Sequence, residues 1–364
     1  MLKRVGIVSL KFSPGLLKEF LAHGEKFKTQ GFSVRLFIDH RYRAFDDNIS
    51  GLKGFSDNYL LMLLQVIINL IRPSKIITDF VRDVDALFIY NFHPINIVLC
   101  RIANRAQKKV FLYIHEPYMP DKMMYGLKAA IRIKILEEFQ IYNVTFANHV
   151  FLPSENAIRN FDERTRSKYL NKSISHLLLQ DKSTEHNLPN SEKTLVFVGK
   201  IHKTKRFMEF LSLAEMSEKE GYKFIIITTT SLSPQQNRRI ALAGNIELIN
   251  DRFINDIVIE AAISKATALF KADTAMTQSG LVAQSLMLGT PVICSFIPGF
   301  TQHIIDGRNG FILDFNKGTW ERELLNAVDI VDLQREKFRS ACRRSYRQYW
   351  DGSNWQREIG IYFK

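Results

Sequence analysis

Cysteine is scarce in this chain: three residues in 364, Cys100, Cys294 and Cys342, odd in number and far apart. That excludes a disulfide framework, offers no metal or redox motif, and fits a reducing compartment. Cys294, inside a β-branched run, reads as a small apolar core residue. Long hydrophobic runs are missing too. The longest, YLLMLLQVIINLI (59–71), is interrupted by Gln65 and Asn69, and its thirteen residues are too few to cross a bilayer. Residues 4–10 read as a strand without a small-residue cleavage site, so the expectation is a cytoplasmic protein. There is no C-x-x-C, H-E-x-x-H or D-x-D, no Walker loop and no G-x-G-x-x-G. These absences argue against a metal site, a kinase and a dehydrogenase.

Positive charge is plentiful. The net charge is +13, and residues 1–180 carry an excess of ten basic side chains against three for 181–364. A basic first half fits an anionic partner (a membrane face, a nucleic acid or a phosphorylated substrate) or a solvated basic surface. No nucleic-acid partner is expected, because the basic residues lack interleaved aromatics in a recognisable motif.

Strand and helix signals alternate through both halves. RVGIVSL (4–10), SVRLFID (33–39), DALFIY (85–90), KVFLYIHEP (109–117) and the start of HVFLPSENAIRNF (149–161) are β-branched or aromatic runs. Helical spacing separates them at 15–31 and 95–107, and Ser154 reads as an N-cap. Residues 175–193 lose periodicity and read as a linker. The alternation resumes at TLVFVGK (194–200), with strands at 223–230, 245–250 and 267–272 and helices at 206–221 and 254–266. Two parallel-sheet α/β domains follow, over 1–178 and 190–344, with ligands at the carboxyl ends of strands.

Two stretches carry chemistry. Residues 271–313 hold a polar turn (Thr277, Gln278, Ser279, Gly280) and a helix from Leu281 to Leu288. A break at Gly289 and Pro291, a strand Val292–Ser295, a second turn at Pro298–Gly299 and DG-x-NG (Asp306–Gly310) follow. A turn at a helix N-terminus aims backbone N–H groups and the positive end of the helix dipole one way, which suits phosphate. VGKIHKTKR (198–206) places Lys200 and Lys205 in a strand-to-helix loop after Gly199, where two ammonium groups can clamp a diphosphate or simply be solvated.

G-K-x-x-x-x-K after a strand, then SGLVAQSLMLGTPVI, then PG-x-x-x-x-I-x-DG-x-NG-F-I-L together resemble the C-terminal domain of GT-B glycosyltransferases, most of all retaining family 4. The first half is similar more loosely, through a glycine turn (Ser13, Pro14, Gly15), His115-Glu116 and FLPSENAIRNF. The resemblance implies two Rossmann-like domains facing a cleft, an acceptor domain over 1–178 and a nucleotide-sugar domain over 190–344. A last helix over 345–364 would cross back to the first domain.

It further implies that Lys200 and Lys205 neutralise the donor diphosphate without a metal. Gly199 and Ser279-Gly280-Leu281 bring backbone to the phosphates, His115 lies beside the sugar, and Gly15 forms the first glycine turn. The family's paired glutamates align with Met276 and Gln284. Gln284 can still accept from ribose hydroxyls, and Thr277 or Gln278 takes up the sugar contact that Met276 cannot make. An ionised Glu116 beside His115 would raise its proton affinity.

The reaction implied is transfer from a UDP- or GDP-sugar, a substrate and not a cofactor, to a glycan or lipid-linked saccharide in bacterial surface polysaccharide synthesis. Residues 121–139 mix Lys122, Lys128, Arg132 and Lys134 with apolar residues and fit peripheral contact with an anionic inner-membrane face. The 59–71 run could join that surface, although a buried helix is the plainer reading. The rivals are an epimerase or phosphorylase of the same fold, and a GT-B-shaped nucleotide-sugar-binding protein without catalysis.

Overall fold

The computed structural model describes residues 3–11, 16–44, 59–90, 93–117, 122, 126–179, 181, 192–276 and 278–363. The chain divides into two compact units: Met1–Gln180 with Gly352–Lys364, and Asp181–Asp351.

The first unit holds strands β1 (Arg4–Ser9), β2 (Ser33–Ile38), β3 (Ala86–Tyr90), β4 (Lys109–Tyr113), β5 (His149–Leu152) and β6 (Lys172–Ile174). They form one sheet in the order β2-β1-β3-β4-β5-β6, with every described pairing parallel. Its helices are α1 (Leu17–Thr29), α2 (Tyr59–Ile71), α3 (Lys75–Arg82), α4 (Asn96–Arg105), α5 (Leu127–Val144) and α6 (Glu155–Thr165). Ser154 caps α6 as expected, its Oγ accepting from the Ala157 N–H at 3.1 Å. One face of the sheet is buried under α2 to α6 through Val66, Phe80, Leu99, Val144 and Phe161. The other is buried under α1 and the chain's last residues, through Phe20, Phe27, Trp355, Ile359 and Phe363.

The second unit repeats the architecture. Its strands are β7 (Lys193–Val198), β8 (Tyr222–Thr228), β9 (Ile246–Asn250), β10 (Ala268–Lys271), β11 (Val292–Ser295) and β12 (Gly310–Leu313), in the order β12-β11-β10-β7-β8-β9 and again parallel. The helices are α7 (Phe207–Met216), α8 (Pro234–Leu242), α9 (Asp256–Lys265), α10 (Gly280–Leu288), α11 (Pro298–Thr301), α12 (Trp320–Leu333) and α13 (Arg335–Tyr349). Helix α8, which has no clear periodic signal in the sequence, is set by a capping box between Ser233 and Gln236 with Pro234 in the first turn.

The DG-x-NG string serves β12. Asp306 accepts from the Ile312 N–H at 2.8 Å, and the fully buried Asn309 side chain donates to the His303 carbonyl and to Ser345 Oγ. A Cβ on Gly310 would lie 2.1 Å from the Val292 carbonyl, so only glycine lets β12 approach β11.

The end of the chain splits between the units. Helix α13 packs on α10 in the second unit, and the return to the first begins at Gly352, with α14 (Trp355–Glu358) following. Trp355 Nε1 donates to His23 Nδ1 at 3.0 Å, and Glu358 accepts from the His176 N–H at 2.9 Å.

Candidate functional site

In the second unit the strand order reverses between β7 and β10, neighbours that lead off to opposite sides of the sheet. The loops leaving such a pair diverge and open a crevice at the carboxyl edge, where α/β proteins bind ligands. Those two loops carry most of the expected donor site. Gly199 ends β7 with its N–H bonded to the Ile227 carbonyl and φ at +137°, a conformation that any side chain would strain. Lys200 beyond it is exposed, and a 3-10 turn over Lys203–Lys205 brings the chain to α7. On the other loop, Gln278 and Ser279 lead into α10 at Gly280 and Leu281. The Ser279 side chain makes no capping bond, so the helix's own cap does not close its N-terminal N–H groups. Thr277 in this loop, and Gly15 in the first unit, lie outside the described residues.

The two loops are stitched together by charge. Lys205 Nζ pairs with Asp273 Oδ1, and Lys271 Nζ reaches Asp273 Oδ2 at 2.6 Å. The Thr274 N–H donates to the Thr204 carbonyl at 2.9 Å, and Ser295 Oγ donates to the Asp273 carbonyl. Lys271 and Asp273 are almost wholly buried, Lys205 mostly so. Burial alone would lift the Asp273 carboxyl, but the two ammonium groups pull it below the ordinary range, and burial pulls Lys271 down despite its partner. Two lysines thus share one carboxylate where the loops leave β7 and β10.

The sequence points to Lys205 for a diphosphate but not to Lys271 or Asp273. A lysine ending the apolar run TALFKA was the available signal, because a charge in a buried strand requires a partner.

Gln284 sits in the second turn of α10. Its Nε2 donates to Glu260 Oε1 on α9 at 3.1 Å, and Glu260 is buried. With the amide nitrogen engaged there, the amide oxygen is the end of Gln284 left to accept from a ligand. Met276 is half-buried.

His115 belongs to the other unit and follows β4. Its ring lies 4.8 Å from that of Tyr90 and 4.9 Å from that of Tyr113, and its Nε2 is 3.8 Å from Glu19 Oε2 on α1. Burial, with Lys11 adding to it, pushes the imidazole down to about 3, so it is neutral at physiological pH. This corrects the expectation that Glu116 raises its proton affinity. Glu116 is exposed, and the carboxyl facing His115 is Glu19, itself pushed up to about 8 by burial and only partly restrained by Tyr90, Tyr113 and the Leu178 backbone. Glu19 and His23 lie one turn apart on the α1 face that also buries Phe20 and Phe27, and that spacing was the missed clue.

The 59–71 run also departs from a buried helix. It packs inward through Met62 and Val66 while Leu64, Ile67, Ile68 and Ile71 are more than half exposed. Among the described residues, no group of three or more His, Cys, Asp and Glu side chains could hold a metal ion, and no single helix is long and apolar enough to cross a membrane.

Two six-stranded parallel sheets, each with one reversal of its strand order, make this a GT-B fold. No protein-family model matches the chain, and no curated protein matches it in sequence. Similar solved structures cover nearly its whole length. A glycosyltransferase from Rickettsia africae has a TM-score of 0.72 at 12% identity, over 100% of this chain and 98% of its own. HepE of Anabaena, in complex with UDP-glucose, has 0.69 at 14%, over 100% and 99%. Sucrose-phosphate synthase of Thermosynechococcus elongatus has 0.68 at 12%, over 99% and 98%.

Proposed function

We propose that this chain is a retaining, metal-independent glycosyltransferase that moves a sugar from a UDP- or GDP-sugar to a glycan or lipid-linked saccharide acceptor in surface polysaccharide synthesis. The observation that carries the reading is the pair of loops leaving β7 and β10 at the carboxyl edge of the sheet. One loop supplies Gly199, Lys200 and Lys205, the other leads Ser279, Gly280 and Leu281 into an uncapped helix N-terminus. That is a seat for a diphosphate, built from fixed dipoles and cations that stabilise negative charge as the sugar–phosphate bond breaks. Lys205 and Lys200 take the part that a divalent metal plays elsewhere, Gln284 accepts from the ribose, and Gln278 with Thr277 meets the sugar. His115, in the acceptor domain, is held neutral and can donate or accept a single hydrogen bond at the reacting centre. The complex of HepE with UDP-glucose supports a UDP-linked donor here.

A second reading, a nucleotide-sugar-binding protein without transferase activity, is favoured by Met276 and Gln284 standing where the family has glutamates. The test is a calorimetric titration with UDP, GDP and their sugar conjugates, followed by detection of free nucleoside diphosphate during turnover. Binding with slow release of diphosphate supports the transferase. Binding of the intact conjugate without release over many hours supports the second reading, and no binding of any nucleotide at millimolar concentration defeats both.

A further inference from the structure

We propose that the outward face of α2 is a membrane-docking surface, lying in the plane of an anionic bilayer with its apolar side chains in the acyl boundary. The observation is a stripe on a helix without a single charged residue. Leu64, Ile67, Ile68 and Ile71, at the i, i+3, i+4, i+7 spacing of one helix face, are 52%, 54%, 52% and 81% exposed. Ile76 at the start of α3 is 53% exposed and extends the patch past the bend. The opposite face, with Met62 and Val66, already anchors α2 to the core, so the outer stripe is surplus to folding. An isolated exposed leucine needs no explanation, but a whole apolar helix face does.

Charge selects the occupant. From Tyr59 to Thr78 the only charged residues are Arg72 and Lys75, both exposed at the end of the stripe, where long cationic side chains reach headgroup phosphates while their stems stay apolar. In the same layer, α5 packs on α4 as α2 does, and exposes Lys128, Arg132 and Lys134. Its two acidic residues are each paired within the chain, the buried Glu137 with Lys122 at 3.0 Å and the exposed Glu138 with Arg164. A two-fold contact of the α2 stripe with a second copy would bring Arg72 and Lys75 together with no acidic side chain between Tyr59 and Thr78 to answer them. An anionic lipid surface answers both. This surface belongs to the first unit and the donor loops to the second, and the proposal does not rest on the donor reading.

The test is co-sedimentation of the full chain with vesicles of phosphatidylcholine alone and of phosphatidylcholine with phosphatidylglycerol, alongside the double variant Ile68→Glu/Ile71→Glu. Wild type binds the anionic vesicles and binds neutral ones weakly. The double variant partitions at least about tenfold less, since two apolar anchors are lost and two charges gained. Its melting temperature and its nucleotide affinity match wild type, which separates this outcome from a folding defect and from failure of the donor reading. Wild type that ignores anionic vesicles, undiminished binding by the double variant, or a wild-type dimer that the double variant dissolves, each overturns the proposal.

Discussion

The first unit keeps its central buried polar groups neutral, whereas the second keeps its own charged. Around His115 the protein gathers Glu19, His23, Tyr90 and Tyr113, and burial is the largest influence on each, driving it to its uncharged form. Around Asp273 it gathers two lysines, and a carboxylate between them stays ionised in an equally buried place. The same sheet architecture thus yields one site suited to neutral hydrogen bonding and one suited to holding negative charge. The proposed transferase would use the first near a sugar hydroxyl and the second at the donor diphosphate.

The largest effect is expected where that contrast is cut most directly. Asp273→Asn leaves the buried Lys271 ammonium without its counter-ion and should cost about 3–5 kcal/mol, read by urea denaturation. Lys205→Ala leaves the Lys271–Asp273 pair in place. Its signature should be weaker UDP binding by a factor of about ten to a hundred in calorimetry, with a smaller loss of stability.

The neutral cluster makes the next prediction, through pH. Glu19 has its pKa raised from 4.5 to about 8, so its stabilising share is complete below 4.5 and is lost as pH rises through 8. His23 and His115 are lowered from 6.5 to about 3, so their share is complete above 6.5 and is lost as pH falls towards 3. Wild type should therefore lose melting temperature from pH 6.5 to 8, and Glu19→Gln should flatten that slope while leaving the acid limb in place. An unchanged alkaline slope would mean that Glu19 is ionised in the folded protein. The smallest effect belongs to Lys200→Ala. Lys200 is exposed, so its removal should cost less than about 1 kcal/mol of UDP affinity, and the difference should vanish at high salt.

The alternating strands were legible in the sequence because buried parallel strands are continuous β-branched runs, as in LVFV (195–198) and FIIIT (224–228). The loop lysines and the α10 turn were legible because glycines and helix starts punctuate the chain. What pairs with what was not. Asp273 reads as a loop acid until β10 is known to bury Lys271 two residues earlier, and Glu19 reads as one more charge on a helix that also carries Lys18, Glu25 and Lys26. Helix α2 was misjudged for the opposite reason. Its polar Gln65 and Asn69 are half-buried while the apolar stripe faces out, so the polar pattern does not mark the outward side.

The most direct test of the account is hydrogen exchange of the backbone amides with and without UDP. The account predicts protection concentrated in residues 199–205 and 278–283, the two loops of the β7–β10 crevice with the first turn of α10, and its loss in Lys205→Ala. Protection confined to other segments, or none at saturating UDP, would contradict it.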